Sequence, residues 1–221
     1  MTSQNIFSSG AARSGAVAIA IGLSLALAGC NSGGSPGPGA SSSPVAAETP
    51  TATATPTPTP TPSAVYRPAD ATGPAQNVPV PVLPEVAKTE TKEGLEAFAK
   101  YWFQLLSYGY ETGDTKPISA VTSPDCTMCE RAKQVQEGWH QDGRWLAGGK
   151  VTTPAINTTF VVAADGNYQV AVQVSQEALS YYNPDKSLDS TEPKPADSGN
   201  LMLVVFRGGA WYVQTIEPIV G

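Results

Sequence analysis

The stretch TSPDCTMCERAK places Cys126 and Cys129 two residues apart at what reads as the start of a helix. Two thiols at that spacing can serve as half of a zinc site, as a redox pair, or as a local disulfide. A structural zinc site needs four Cys or His ligands, and the chain holds only three cysteines and one histidine. A redox CxxC wants a strand before it and an electropositive setting that lowers the thiol pKa. Here the preceding KPISAVTSPD does not read as a strand, and Asp125 and Glu130 flank the pair with charge that disfavours thiolate. Side chains three apart at a helix start lie about 5–6 Å apart at Cβ, which a mild distortion brings into bonding range. A disulfide closing so short a loop contributes only about 1.9 kcal/mol by the chain-entropy relation. The expectation is a Cys126–Cys129 staple, with a thiol-disulfide role as the alternative if the Cys126 sulfur is exposed.

The remaining candidates are weaker. His140 is the single histidine, so any Ser-His or Cys-His system must use it, but EGWHQDGRW offers no nucleophile beside it. It reads as a surface residue. Asp114, Asp142 and Glu177 are conceivable pocket acids, yet no spacing pairs any two of them for general acid–base work. Trp102, Trp139, Trp211 and Tyr181 are the candidate lining of a ligand pocket, because aromatics dominate such sites. At helical and strand spacing the three tryptophans, and Trp145, are more often core, and Tyr181 can form a binding edge or merely pack. Tyr182, beside Tyr181, sits at the mouth of a long polar loop. No catalytic residue and no metal ligand is assigned.

The elements that must position these residues begin at Thr89. In EGLEAFAKYWFQLLSYGYETGD, Leu95, Phe98, Ala99, Trp102, Leu105 and Leu106 recur at steps of three and four, which predicts an amphipathic helix ended by Gly109 or Gly113. A short turn of helix follows over 117–120, and the cysteine pair opens a second helix running to about Trp139, then a loop closed by Gly148-Gly149. NTTFVVAADGNYQVAVQVSQ predicts a hairpin around Asp165-Gly166. Its second arm alternates Tyr168, Val170, Val172 and Val174 with smaller or polar residues. LMLVVFRGGAWYVQTIEPI predicts another hairpin around Gly208-Gly209, with a first arm apolar on both faces as in a central strand. The polar YYNPDKSLDSTEPKPADSGN between them reads as a loop. Helices first, then an antiparallel sheet of at least four strands, is an α+β layout.

Everything before Thr89 is different in kind. Thirteen of the twenty prolines lie between Pro36 and Pro84, and between Cys30 and Val78 large apolar side chains are almost absent. Such a segment cannot offset the entropy of ordering its backbone. Residues 30–88 are therefore expected to be a disordered Pro/Thr/Ser-rich stalk, leaving 89–221 as the globular domain. Arg13 is the only charged residue of the first 29, followed by the apolar AVAIAIGLSLA, too short to span a bilayer. This is the pattern of a signal peptide over 1–29. From Cys30 onward 12 basic residues face 19 acidic ones. That balance is the wrong sign for nucleic acid or for adsorption to anionic lipid.

LAGC, residues 27–30, resembles the lipobox of bacterial lipoproteins. The resemblance implies cleavage before Cys30 and a diacylglyceryl group on its sulfur. Two acyl chains anchor firmly without any basic patch, so the expected location is the extracytoplasmic face of the cell membrane, and the lipid on Cys30 is the only attached group expected. The helix GLEAFAKYWFQLLSYGYETGD, the cysteine pair and the terminal GGAWYVQTIEP together resemble actinobacterial lipoproteins of unknown function and the cone-shaped fold of nuclear transport factor two and its relatives. That resemblance implies a fold and a location but no reaction. The expected function is a tethered, non-catalytic domain that binds a small ligand or a cell-envelope protein. The alternatives are a thiol-disulfide protein and an enzyme using the cone cavity.

Overall fold

In the computed structural model, residues 65–219 are described. The signal peptide, Cys30 and the stalk up to residue 64 lie outside the described residues. Helix α1, Lys92–Thr112, buries Leu95, Phe98, Ala99, Trp102, Leu105 and Leu106, the stripe the apolar spacing predicts. Its start is capped by the Thr91 hydroxyl, which accepts from Gly94 N at 3.0 Å. Its end is Gly113 in the left-handed conformation, φ 73°. After α2, Lys116–Ser119, comes α3, Thr127–Trp139, as expected from the sequence.

Seven strands follow: β1 Trp145–Gly148, β2 Val151–Asn157, β3 Tyr168–Gln176, β4 Leu179–Tyr182, β5 Leu188–Glu192, β6 Ser198–Arg207 and β7 Ala210–Pro218. They form a four-stranded antiparallel sheet in the order β2-β3-β6-β7 and a three-stranded one in the order β1-β4-β5. The two sheets are joined by a bend rather than by a loop. β1 leads into β2 and β3 into β4 after two residues each, and backbone bonds continue across the corner: Gly149 N donates to Ala178 O, and Glu177 N to Lys150 O. The corner requires glycine. Gly148 has φ 83°, and a Cβ there would lie 2.3 Å from Ala178 O.

The α+β layout stands, with helices preceding the sheets. Tyr168, Val170, Val172 and Val174 of β3 are buried, with Met202 and Val204 of β6 and Trp211, Val213 and Ile216 of β7, in one core with α1. β6 lies between β3 and β7, the central place its apolar arm predicts. The Gly208-Gly209 hairpin forms as expected.

Four expectations need correction. β1 falls in a stretch read as loop. β4 and β5 form a hairpin where a polar loop was expected, turning through Asn183 N to Ser187 O at 3.0 Å. The turn at Asp165-Gly166 forms, with Ala163 N bonded to Asn167 O and one antiparallel bridge between Val162 and Tyr168, but 157–164 is not a full arm: β3 pairs with β2, and in the intervening connection Phe160 takes φ 55°. Finally, the stalk reading runs too far. Residues 65–88 include a buried Ala87 in a 3-10 turn, Glu85–Lys88, and a small hairpin with Arg67 and Gln76 exchanging backbone bonds. This hairpin is a strap fastened to the body, since the Trp145 indole donates to Asp70 O at 2.9 Å.

Candidate functional site

A pocket of about 310 Å³ opens where the strap crosses the C-terminal half of α1 and the glycine corner of the sheet. Each wall follows from local sequence. The strap contributes Tyr66, Pro68, Val78, Pro79 and Pro81, an apolar face made of residues that lack a backbone donor at every proline. From α1 come Gln104, Ser107, Tyr108 and Glu111, exposed or half-buried positions on the flank of its buried stripe. Lys150 and Glu177 stand side by side at the corner, held there by the bond between their backbones.

Polar groups around the pocket are partly committed. Ser107 Oγ accepts from Val151 N at 2.9 Å and donates to Val151 O at 3.2 Å, pinning α1 to the start of β2. The Tyr66 hydroxyl donates to Glu111 Oε1 at 2.5 Å. That bond to a carboxylate, with burial and the Glu111 charge, pushes the Tyr66 pKa up to about 12. Burial and the nearby Asp114 carboxylate also raise the Tyr108 hydroxyl above its ordinary value. Among the described residues the ion pairs are Lys88–Glu85, Lys92–Glu96 and Lys133–Glu130, so Lys150, Glu111 and Glu177 carry charges that no salt bridge offsets.

The aromatic residues expected to line a pocket lie elsewhere. Trp102, Trp211 and Tyr181 are buried in the core, and Trp139 packs half-buried against it. The Trp102 indole donates to Thr122 Oγ1, and that of Trp211 to Thr89 O. Trp139 meets Tyr181 with ring centres 4.7 Å apart, and Trp145 stacks on Tyr182. Of the acids considered, Glu177 reaches the pocket. Asp114 accepts from Lys116 N, and Asp142 is exposed in a left-handed turn at φ 55°. His140 is half-buried rather than a free surface residue. Its ring packs against Gly113, Nδ1 lies 2.8 Å from Gln136 O, and burial lowers its pKa against the opposing pull of the Gln136 and Glu111 carbonyls.

Cys126 and Cys129 form a disulfide, with Cα atoms 5.2 Å apart and both residues buried. It closes the first turn of α3 and is almost wholly buried. Among the described residues no group of three or more metal-ligating side chains comes together. What the sequence reading missed is the strap wall and Glu111. One signal was available: Tyr66 is the only aromatic residue between Cys30 and Phe98, an unusual presence in a stalk.

The described domain coincides with the match to one family model over residues 64–217, described as a family of unknown function. The chain belongs to that family, DUF6318. The match starts at the strap, not at α1. No curated protein matches the chain. Solved structures with a partial likeness include the intermembrane space region of the chloroplast protein ARC6, at 14% identity and TM-score 0.39 over 59% of this chain and 98% of that one. Another is an uncharacterised protein with a cystatin-like fold from Caulobacter vibrioides, at 15% identity and TM-score 0.35 over 57% and 89%. A third is Aln2 from a Streptomyces species, at 11% identity and TM-score 0.34 over 57% and 88%. At these scores the likeness carries no argument about function.

Proposed function

We propose that the chain is an envelope lipoprotein, tethered through lipid on Cys30 at the extracytoplasmic face of the membrane, whose domain binds a small molecule without transforming it. The pocket between strap, α1 and the glycine corner carries the binding half of this reading. It lies at the small end of the range for ligand sites, and it combines apolar walls with a few convergent polar groups. The LAGC motif carries the tethering half. The catalytic reading lacks comparable support, since His140 lies outside the pocket lining and Asp114 is engaged in holding a turn. The thiol reading needs an exposed sulfur, and Cys126 is 0% exposed.

Binding is tested by screening single-ring fragments against the full-length chain by ligand-observed NMR, with Ala69→Trp, at a small strap residue of the lining, as a filled-pocket control. Hits that vanish in the control support the reading; a screen without one contradicts it. For the tether, Cys30→Ala should abolish membrane fractionation and labelling by a palmitate analogue. Detergent-requiring membrane association of that variant would show the apolar run itself to be the anchor.

A further inference from the structure

We infer that the ligand of this pocket is a small organic cation on an apolar body, such as an arylalkylamine; the inference rests on the binding reading above. Charge favours a cation. Glu111, Glu177 and Lys150 are the charged residues of the lining. Lys150 and Glu177 are exposed neighbours across the corner, with Glu177 N bonded to Lys150 O at 2.9 Å and no salt bridge between their side chains; one cation against two carboxylates leaves the lining one negative charge in excess. Glu111 is the less exposed of the two carboxylates. It is half-buried on α1, and its partner is the Tyr66 hydroxyl, which solvates the carboxylate but neutralises no charge. The lining therefore carries one surplus negative charge, with Glu111 half-buried beside an apolar wall, where attraction is less screened than in bulk water.

Donors for an anion, which needs several, are concentrated at the rim, where Lys150 and Gln104 are exposed; the inner lining has few. Pro68, Pro79 and Pro81 have no N–H. The Ser107 hydroxyl is spent on Val151 O, and the Tyr66 hydroxyl on Glu111. A cation needs acceptors and aromatic faces instead, and Glu111 together with the rings of Tyr66 and Tyr108 supplies both. The proline and valine wall then takes the apolar body, and the volume limits it to about one ring and a short arm.

The test compares three matched probes on the full-length chain at pH 7 by titration calorimetry: phenethylamine, 2-phenylethanol and 3-phenylpropanoate. The amine should bind about tenfold more tightly than the alcohol, as expected for one charge-assisted contact, with the anion weakest. Glu111→Gln, which keeps an oxygen for Tyr66, should bring the amine close to the alcohol and leave the alcohol unchanged. Lys150→Gln, at the exposed corner, should tighten amine binding two- to threefold, roughly the gain from removing one screened like charge; it serves as well if Glu111→Gln fails to fold. Equal or tighter binding of alcohol or anion overturns the cation inference and leaves the pocket reading intact. Binding by none of the three also overturns it, and the fragment screen then tells whether the pocket reading falls too.

Discussion

β3 and the strap both lie along the body of the domain, yet they are held there by different physics. β3 buries Tyr168, Val170, Val172 and Val174 in sequence and is flanked by strands on both sides. Residues 65–81 bury no side chain fully; they are kept in place by the Trp145–Asp70 and Tyr66–Glu111 bonds and by the Arg67–Gln76 exchange. Hydrophobic burial makes the sheet region a cooperative unit, whereas a segment with few apolar contacts opens locally at little cost. The candidate pocket is formed where the two meet. Its rigid wall belongs to the stable region and its outer wall to the labile one, the usual division in ligand sites that must open.

Substitutions that strike each region should separate them. The largest effect is expected at Trp211, buried among Phe98, Tyr168 and Phe206. Trp211→Ala should cost about 3–5 kcal/mol in urea unfolding; a loss below about 1 kcal/mol would mean that this cluster does not hold the sheet to α1. Replacing Cys126 and Cys129 together by Ala should cost about 2 kcal/mol or less, because the closed loop is short. The fold should survive, and the native protein should resist thiol alkylation. Rapid alkylation of Cys126 at pH 6 would instead revive the redox alternative.

His140 gives a pH signature at the helix seam. Burial lowers its folded pKa below the unfolded value near 6.5. The unfolded chain then binds the proton first, so this group's contribution is fully present above that value and is lost as pH falls toward the folded pKa. His140→Gln should flatten the acid side of the stability profile between pH 7 and 5; an unchanged slope would show that His140 is not the group responsible. Smallest is Tyr66→Phe, which removes an exposed hydrogen bond and should cost less than about 1 kcal/mol globally. Its effect should appear locally, as faster amide exchange at Arg67 and Gln76 with β3 unchanged.

What the sequence revealed follows the same division. α1 was legible because its six core residues repeat with the helical period, and β6–β7 because Gly208-Gly209 separates two apolar arms. β4–β5 was hidden because Leu188 is exposed and the rest of β5 is polar, so no alternation marks it. The strap was hidden because prolines and small residues signal disorder, and its order comes from partners as distant as Trp145. The candidate site draws on the strap, α1 and both sides of the glycine corner. No local pattern announces such a convergence; the lone Tyr66, and Glu177 among the acids, were its traces.

The central claim is that the strap is part of the folded domain and forms the pocket's outer wall. The most direct measurement is amide hydrogen exchange of the full-length chain at Arg67, Asp70, Gly73 and Gln76, whose N–H groups all bond within the strap hairpin. The account predicts protection at these four, at least about tenfold over an unstructured peptide, and below that of β3. Exchange at the unstructured rate would contradict it, because the pocket would then have no outer wall.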